Sequence, residues 1–561
     1  MTLSSGSRVR VAAAAAAVAM VAASGVSAAS AASSPGVSPA GPQPKGVGLL
    51  SEAALAQDSC SDNGRTDWYW LGDGPFCVNP WEAGTDNGGA TAQGVTDTSV
   101  KVVGYFSNDE MMAASGETQP KNTVTGAPAT WQGVAQDYDA SFAAMTEQLG
   151  AFQLWGRTPE VEVVLASGLD EAAQRADALA ILEKKPFMVF DMANPSEGGS
   201  AIFSSVIAAE KIIGWSASTT PEIAREQDPY RWNFGQDPDT VPALAAAFVG
   251  RTLSGKKAQF AGDDAMAKQT RKFGVIYPNA DMNYDVFTDS LKETGGATLT
   301  EQLEFDPDPA RSQEQATTFV TKLKSSGVTT VVLLAFPTMV GALMEAATAQ
   351  DYAPEWVLTG TGYHDYPLFP RTWDQEQAAH AFGLGVLSPD FSGPTPADSM
   401  DPIKWYFGSA GGRHGGSVAG MYLGLYQAMH YAGPTLTPKN VKKGLFAAPA
   451  YGGAADDTTV WRNGFGSSVD MPYDEYGWLG SDRALIWYDP EGTIEAMPGK
   501  GAYRFMEGGK RFGYADFPKQ VPKFFDEGDL RDDIPVGTGF TSGTVPDVPP
   551  CTGCPSSNDA A

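Results

Sequence analysis

The segment Val100-Lys-Val-Val-Gly-Tyr-Phe106 opens a long series of alternating strand and helix patterns. Its β-branched and aromatic residues predict a strand. Apolar residues then recur at spacings of three and four over residues 131–149, which predicts a helix. The segment Val161-Glu-Val-Val-Leu165 predicts a second strand. This order of strand, helix and strand decides the fold class, because it is typical of parallel sheets.

The series continues, breaks around residues 230–237, and then begins again. Before the break we predict a helix over 170–182, strands over 186–190 and 212–215, and a helix between them. After it we predict helices near 242–253, 284–293, 312–325 and 339–349, and strands over 273–277, 298–305, 328–334 and 355–358. Two successive series of similar length predict an α/β fold with two lobes, each a parallel sheet covered by helices on both faces.

The later segments complete this division of the chain. Phe382-Gly-Leu-Gly-Val386 predicts a short strand that returns to the first lobe. The expected units are a signal peptide over 1–31, a linker and disulfide-pinned extension over 32–97, lobe 1 over 98–236, lobe 2 over 237–378, a lobe 1 return over 379–450, a lobe 2 return or extension over 451–514, and an acidic Pro/Gly-rich tail over 515–561.

The N-terminus predicts export. Arg8 and Arg10 precede an apolar run over residues 11–23, and Val26-Ser27-Ala28 or Ala29-Ser30-Ala31 provides a small-residue cleavage pattern. A membrane anchor is the alternative, but the run is shorter than the roughly 20 residues that a spanning helix needs. No cysteine lies near the cleavage patterns, so we expect a secreted or cell-envelope protein without a lipid anchor.

The charge balance limits the partners. The sequence has 66 acidic and 38 basic residues, a formal net charge of -28. A surface with this excess of acids repels phosphate backbones, so nucleic acid is not an expected partner.

The four cysteines, Cys60, Cys77, Cys551 and Cys554, allow three disulfide pairings. In an oxidising compartment the simplest pairing is Cys60 with Cys77 and Cys551 with Cys554. A redox-active Cys551-Thr-Gly-Cys554 motif and a zinc site built from the four cysteines are the alternatives. We expect the aromatic segment over 60–81 to pack on the main body, and a separate aromatic binding face is the competing interpretation.

Ligand-binding residues are expected beyond the carboxyl ends of the parallel strands. In the first series these positions carry Ser196, Ser216, Ser218 and Thr219. Small hydroxyl residues and free N–H groups at helix N-termini can hold a carboxylate, although plain helix capping uses the same residue types.

The corresponding positions of the second series carry Tyr277, Tyr284, Tyr363 and Asp365. Aromatic residues and a carboxylate that face hydroxyls across a cleft suit a zwitterion, with its acid held on one lobe and its amine on the other. Asp365 is the candidate for the ammonium group, and a solvated loop acid is the alternative.

Motifs for catalysis, metals and cofactors are missing from the sequence. The four histidines do not share metal-ligand spacing, and HExxH, GxSxG and GxxxxGK[ST] are absent. We therefore expect a binding protein rather than an enzyme, with no cofactor and no metal site.

The segment Gly94-Val-Thr-Asp-Thr-Ser-Val-Lys-Val-Val-Gly104 resembles the opening of mature type I periplasmic binding proteins. These are the leucine/isoleucine/valine-type receptors of ATP-binding-cassette importers. Phe273-Gly-Val-Ile-Tyr-Pro-Asn279 and Trp356-Val-Leu-Thr-Gly360 follow in the order typical of that family, so the resemblance covers roughly residues 94–450. It implies two Rossmann-like lobes that close on a ligand about three crossovers, near 234–237, near 360–382 and late in the chain.

The resemblance also implies a function. It predicts an exported receptor that captures an amino acid or related carboxylate and works with the membrane permease of an ATP-driven importer. Ser196 and residues 216–219 would then hold the carboxylate, and Tyr277, Tyr284 and residues 363–365 would supply the second lobe's contacts. Tyr284-Asp285 departs from the family's usual Tyr-Gly, so another small polar or aromatic ligand is allowed. A secreted sensor or adhesion protein on the same fold, and a secreted hydrolase, are the alternatives.

Overall fold

The computed structural model describes residues 47–68, 72–114, 130–193, 200–216, 219–233, 235–279, 282–389, 406–407, 415–455, 459, 461–477, 480–495, 497–534 and 554. The predicted signal peptide and the linker after it lie outside these residues. Among the described helices, none combines the length and the apolar character that crossing a membrane requires.

The secondary structure alternates as predicted. The strands are β1 (Arg65–Trp68), β2 (Gly72–Phe76), β3 (Ser99–Phe106), β4 (Thr158–Leu165), β5 (Met188–Met192), β6 (Ile213–Ser216), β7 (Arg231–Asn233), β8 (Phe273–Pro278), β9 (Leu299–Phe305), β10 (Thr330–Leu333), β11 (Glu355–Leu358), β12 (Ala381–Gly385), β13 (Arg483–Asp489), β14 (Ala502–Phe505), β15 (Arg511–Phe512) and β16 (Asp529–Leu530). The α-helices are α1 (Glu52–Leu55), α2 (Asp109–Ala114), α3 (Trp131–Leu149), α4 (Glu171–Leu182), α5 (Ala201–Ala209), α6 (Pro221–Glu226), α7 (Thr240–Phe248), α8 (Tyr284–Glu293), α9 (Ser312–Ser325), α10 (Pro337–Ala349), α11 (Gln375–Ala378), α12 (Gly415–Ala432) and α13 (Pro438–Ala447).

The first lobe is built on a five-stranded parallel sheet in the order β4-β3-β5-β6-β7. Phe190, Trp215 and Trp232 occupy matching positions on three adjacent strands and stack in a row, with ring centroids 5.7 Å apart at each step. Helices α3, α12 and α13 cover this face and complete the apolar core. Burial of these large rings on one face of the sheet holds the lobe together.

The second lobe repeats this arrangement. Its parallel strands follow the order β9-β8-β10-β11-β12, and the antiparallel strands β13, β14 and β16 extend the sheet beyond β12. Each lobe thus contains one five-stranded parallel unit with the same strand order. The predicted fold class, α/β with two Rossmann-like lobes, is confirmed.

The position of β12 corrects one sequence prediction. The segment was expected to return to the first lobe, but Phe382 pairs with Val357 of β11 in a parallel register. A short apolar strand buried on both faces fits the interior of either parallel sheet, so its pattern does not identify the lobe. The predicted crossover over 360–382 is wrong for the same reason. The main chain crosses into the first lobe after Gly385, where Leu387 lies in that lobe's core.

Two further boundaries also differ from the expected ones. Trp461, Phe465 and Tyr476 lie in the first lobe's core, and Phe465 and Tyr476 pack edge-on or tilted against Trp232. Val469 and Met471 lie in the second lobe's core, so residues 461–476 pack against both lobes, and the second sheet resumes at β13. The predicted tail also begins later than 515, since Phe517 and Phe524 are buried in the second lobe's core.

The N-terminal extension packs on the first lobe. The Cys60–Cys77 disulfide is present, and Trp81 contacts Trp155 edge-on, with ring centroids 5.5 Å apart. The main-chain nitrogen of Phe76 donates to Tyr431 Oη at 2.7 Å. The packed interpretation is thus confirmed for the described part of this segment.

The second expected disulfide is only partly described. Cys554 is disulfide-bonded, and Cys551, its expected partner, lies outside the described residues.

Candidate functional site

Three passages of the chain connect the two lobes: residues 233–240, the passage that begins at residues 385–389, and residues 475–483. The first and third run side by side, because Asn233 and Gly477 form a parallel bridge. The main-chain nitrogen of Tyr476 also donates to Asp237 Oδ2 at 2.9 Å. The lobes are therefore joined at a compact hinge, as the family resemblance implies.

Buried acids lie inside this hinge. Glu475 accepts hydrogen bonds from Thr240 Oγ1 at 2.7 Å and from Ser481 Oγ at 2.6 Å. Burial raises the pKa of Glu475 to about 7, and burial together with the nearby Glu475 raises the pKa of Asp237 well above its ordinary value. The bond from Thr240 links the start of α7 to the third passage.

A buried ion pair ties the third passage to the second. Arg511 Nε donates to Asp482 Oδ1 at 2.8 Å, and Arg511 Nη2 donates to the main-chain oxygen of Val386 at 3.0 Å. Neither side chain of the ion pair is exposed to solvent. The second lobe's edge near Val386 is therefore fixed relative to the hinge.

The loop after β11 lies at the carboxyl edge of the second sheet. Thr359 Oγ1 donates to the main-chain oxygen of Leu333 at 2.7 Å, which attaches the start of the loop to β10. Gly360 has a φ of 83°, and a Cβ there would lie 2.5 Å from Val386 Cγ2, so only glycine fits without a shift. Tyr363 has a φ of 56°, which is uncommon for a residue with a side chain. The loop thus turns back sharply over the sheet edge.

Tyr363 and Asp365 both belong to this loop, as the sequence predicts. Tyr363 packs against the core of the first lobe, so the loop reaches across to that lobe. Asp365 is buried, and its Oδ2 accepts a hydrogen bond from the main-chain nitrogen of Leu387 at 2.6 Å. Burial raises the pKa of Asp365 to about 6. Asp365 is therefore not a solvated loop acid.

Arg483 was not among the residues predicted from the sequence. It is fully buried, and its Nη1 donates to the main-chain oxygens of Gly480 and Asp482, both at 2.7 Å. Burial lowers the pKa of Arg483 to about 10, so the group is charged at neutral pH. A single arginine at the start of an apolar strand is typical of an exposed strand end, so the pattern gave no sign of burial.

The first lobe's edge carries two of the predicted hydroxyl groups. Ser216 Oγ and Thr219 Oγ1 are buried and lie 2.9 Å apart in a hydrogen bond. Nearby, Asp191 at the end of β5 accepts from the main-chain nitrogen of Ser200 at 2.7 Å and so holds the start of α5. The edge therefore carries the Ser216–Thr219 hydroxyl pair and the start of α5, which is fixed by the carboxylate of Asp191. The other two predicted hydroxyl residues, Ser196 and Ser218, lie outside the described residues.

Tyr277 and Tyr284 form a separate group. Their rings stack with centroids 3.7 Å apart, and Tyr284 Oη donates to Gln302 Oε1 at 3.0 Å. Both rings pack against the core beneath α7 and α8. Tyr363, by contrast, packs against the first lobe's core. The predicted site residues thus fall into three groups along two sheet edges.

Within the described ranges, no cluster of three or more His, Cys, Asp or Glu residues is arranged to hold a metal ion.

Comparisons with known proteins give matches among solved structures. No protein-family model and no curated protein matches the chain. The leucine-, isoleucine-, valine-, threonine- and alanine-binding protein from Brucella ovis is similar, with 11% identity over 75% of this chain and 97% of that one and a TM-score of 0.46. A solute-binding protein of an ABC transporter from Rhodopseudomonas palustris BisB5, in complex with 3,4-dihydroxybenzoic acid, has 11% identity over 75% and 99% of the two chains and a TM-score of 0.43.

A third similar structure is the fatty acid ABC transporter substrate-binding protein from Thermomonospora curvata. It has 15% identity over 79% of this chain and 97% of that one, with a TM-score of 0.42. All three are solute-binding proteins, the class that the sequence resembles. At these identities the likeness concerns the fold, which the strand order of the two sheets establishes independently.

Proposed function

We propose that the chain is an exported, non-catalytic receptor that captures a small polar solute between its lobes and delivers it to the permease of an ATP-driven importer. One observation carries the proposal: both lobes contain a parallel sheet of the same strand order, and three passages of the chain hinge them together. Two similar lobes on a multi-strand hinge are suited to closing around a ligand.

The solute site that we propose lies between the carboxyl edges of the two sheets, where open α/β sheets bind ligands. The pair Ser216 and Thr219 stands at the end of β6, and the loop with Tyr363 and Asp365 stands at the end of β11. The packing of Tyr363 against the first lobe's core supports this location, since that loop bridges the lobes.

The residues suit a solute that carries both acidic and donor groups. In the proposal, one hydroxyl of the Ser216–Thr219 pair donates to the other, and the second donates to the solute. Asp365 accepts a hydrogen bond from an ammonium or other donor through Oδ1, because Oδ2 is engaged with Leu387.

The remaining predicted residues have lesser parts in the proposal. Ser196 and Ser218 are proposed as further hydroxyl contacts of the solute on the first lobe. Tyr277 and Tyr284 are proposed as outer contacts, since the hydroxyl of Tyr284 is already engaged with Gln302 on an exposed surface.

A thermal-unfolding screen of the exported chain tests this proposal. The panel contains amino acids, aromatic acids and aliphatic acids. A solute present at 100 times its dissociation constant should raise the free energy of unfolding by about 2.7 kcal/mol. If no compound in a broad panel stabilises the protein, the receptor function is wrong.

Two variants locate the site. Tyr363→Ala and Ser216→Ala should each reduce the stabilisation by the bound solute, because both residues stand at the proposed edges. Thr288→Ala is the control, since Thr288 lies on α8 away from these edges and its hydroxyl donates to the main-chain oxygen of Asp285 at an exposed position. Equal solute stabilisation of all three variants would place the site elsewhere.

A further inference from the structure

Arg483 stands at the edge of the second sheet that faces the hinge. It is the first residue of β13, and β13 runs antiparallel to β12, with Gly385 opposite Ala484. The start of β13 therefore lies beside the carboxyl end of β12. A Cβ at Gly360, just beyond the end of β11, would lie 3.5 Å from Arg483 Nε. The guanidinium thus lies at the carboxyl ends of two parallel strands.

A second buried arginine, Arg271, shows how an acid of this chain binds the Nε–Nη2 side of a guanidinium. Arg271 donates through Nε to Glu355 Oε2 at 2.7 Å and through Nη2 to Glu355 Oε1 at 2.8 Å. Neither side chain is exposed. This is the two-bond arrangement in which the planar fork of arginine matches the two oxygens of a carboxylate.

Arg483 presents the same face without an acceptor. Its Nε and Nη2 are buried and have no hydrogen-bond partner among the described residues. A buried guanidinium whose fork lacks an acceptor is costly, so the fork favours binding an anionic acceptor.

The acids around Arg483 are engaged elsewhere. Asp482 accepts from Arg511 through Oδ1 and from the main-chain nitrogen of Ala454 through Oδ2. Asp365 accepts from the main-chain nitrogen of Leu387 through Oδ2, and its Oδ1 has no hydrogen-bond partner among the described residues, the fork of Arg483 included. Each acid therefore balances part of the charge of Arg483 from a distance but does not fill its fork.

We propose that the Nε–Nη2 face of Arg483 binds the carboxylate of the solute through two parallel hydrogen bonds. This inference rests on the proposed receptor function and narrows it to acids. It also places the carboxylate on the second lobe, whereas the sequence places it on the hydroxyl groups of the first. The nearby acids Asp365 and Asp482 favour a singly charged carboxylate over a doubly charged phosphate or sulfate, because each adds negative potential.

Arg483 has no solvent exposure in this structure. The proposal therefore requires the lobes to separate at the hinge before a solute can reach the fork.

Matched acids and amides provide the test in the unaltered protein. Each acid of the panel is compared with its primary amide, for example benzoate with benzamide and leucine with leucinamide, by calorimetric titration. The acid should bind about 10- to 100-fold more tightly, because its two charged oxygens match the fork and the neutral amide offers one acceptor oxygen and an NH2 group that cannot accept. An amide that binds as tightly as its acid overturns the role of Arg483 and leaves the receptor function standing. A panel in which neither acids nor amides bind overturns both.

The variant Arg483→Lys keeps the charge and removes the fork. It should weaken acid binding by about 10-fold or more while leaving amide binding unchanged. Arg271→Lys is the matched control, because it makes the same change at a buried fork already filled by Glu355. Arg271→Lys should reduce the stability of the protein without altering the ratio of its affinities for an acid and the matching amide. If the Arg483→Lys protein folds cooperatively and its ratio of acid affinity to amide affinity is unchanged, Arg483 does not bind the carboxylate. If that variant does not fold, the comparison of acids with amides in the unaltered protein decides the question.

Discussion

At the scale of single residues, the hinge is distinguished by acids that are buried without a full ionic partner. Glu475 and Asp237 lie close enough for each to raise the energy of the other's charge. The hydroxyl groups of Thr240 and Ser481 offset part of the cost of burial through hydrogen bonds to Glu475. Removal from water nevertheless dominates, so the neutral form of Glu475 is favoured relative to an unfolded chain.

This balance predicts how pH acts on stability. Folding raises the pKa of Glu475 from its ordinary value of 4.5 to about 7. The stabilising contribution is therefore complete below about pH 4.5 and is lost as the pH rises through about 7. Glu475→Gln should be more stable than the unaltered chain at pH 8 and similar to it at pH 5, as measured by urea unfolding. Asp474 is the exposed neighbour of Glu475, and Asp474→Asn is the control. This variant should show the same change in stability between pH 5 and pH 8 as the unaltered chain. A Glu475→Gln protein with the same pH dependence as the unaltered chain would refute the burial argument.

The site residues were partly predictable from sequence, because strand ends can be located from patterns. Ser216, Thr219, Tyr363 and Asp365 all follow or end predicted strands, and the structure places them at those positions. Their partners were not predictable. The contact between Asp365 and Leu387 and the burial of Arg483 depend on β12 and β13 joining the second sheet, and no local pattern specifies that pairing.

At the scale of elements, the close approach of α12 and α13 controls the packing of the first lobe. A Cβ on Gly444 in α13 would lie 2.1 Å from the main-chain oxygen of Tyr431 in α12. The two helix backbones are therefore in contact at this point, and no side chain fits between them. Gly420 of α12 differs, since a Cβ there would meet nothing within 4 Å.

The two glycines predict opposite effects of the same substitution. Gly444→Ala should lower the free energy of unfolding by about 1–3 kcal/mol, because it forces the helices apart. Gly420→Ala should leave it unchanged or raise it by up to about 1 kcal/mol, because alanine favours a helix over glycine. Denaturant unfolding of both variants measures the difference. If Gly444→Ala proved as stable as Gly420→Ala, the close helix contact would be disproved.

The element pattern was the most predictable part of the fold. Alternation of strand and helix predicted both parallel sheets, since buried strands and amphipathic helices each have their own period. The errors concern the connections between lobes. β12, Trp461 and Phe517 all carry apolar patterns that fit either core, so their placement depends on contacts distant in sequence.

At the scale of the whole molecule, the N-terminal extension is part of the first lobe. Val47 and Leu50 lie in that lobe's core, and Thr66 Oγ1 donates to the main-chain oxygen of Ala151 at 2.9 Å. His430 of α12 contributes to the same junction through Nε2, which lies 2.9 Å from the main-chain oxygen of Phe76. The disulfide Cys60–Cys77 closes the loop that contains Thr66 and Phe76.

Loss of this disulfide should therefore destabilise the lobe. The double variant Cys60→Ser, Cys77→Ser is expected to lower the free energy of unfolding by about 3 kcal/mol, because the bond restricts a short loop in the unfolded chain. Denaturant unfolding under oxidising conditions measures the change, and Ser61→Ala beside Cys60 serves as the control. A double variant as stable as that control would show that the extension does not depend on the bond.

The central claim is that two hinged lobes close on a solute at their facing sheet edges. The most direct test places spin labels at Leu169→Cys beyond β4 and Leu368→Cys beyond β11, both at exposed positions, and measures the distance between them. With a saturating solute from the thermal screen, the distance distribution should narrow and shift to shorter values. A distribution that stays the same when the solute is bound would contradict closure of the lobes.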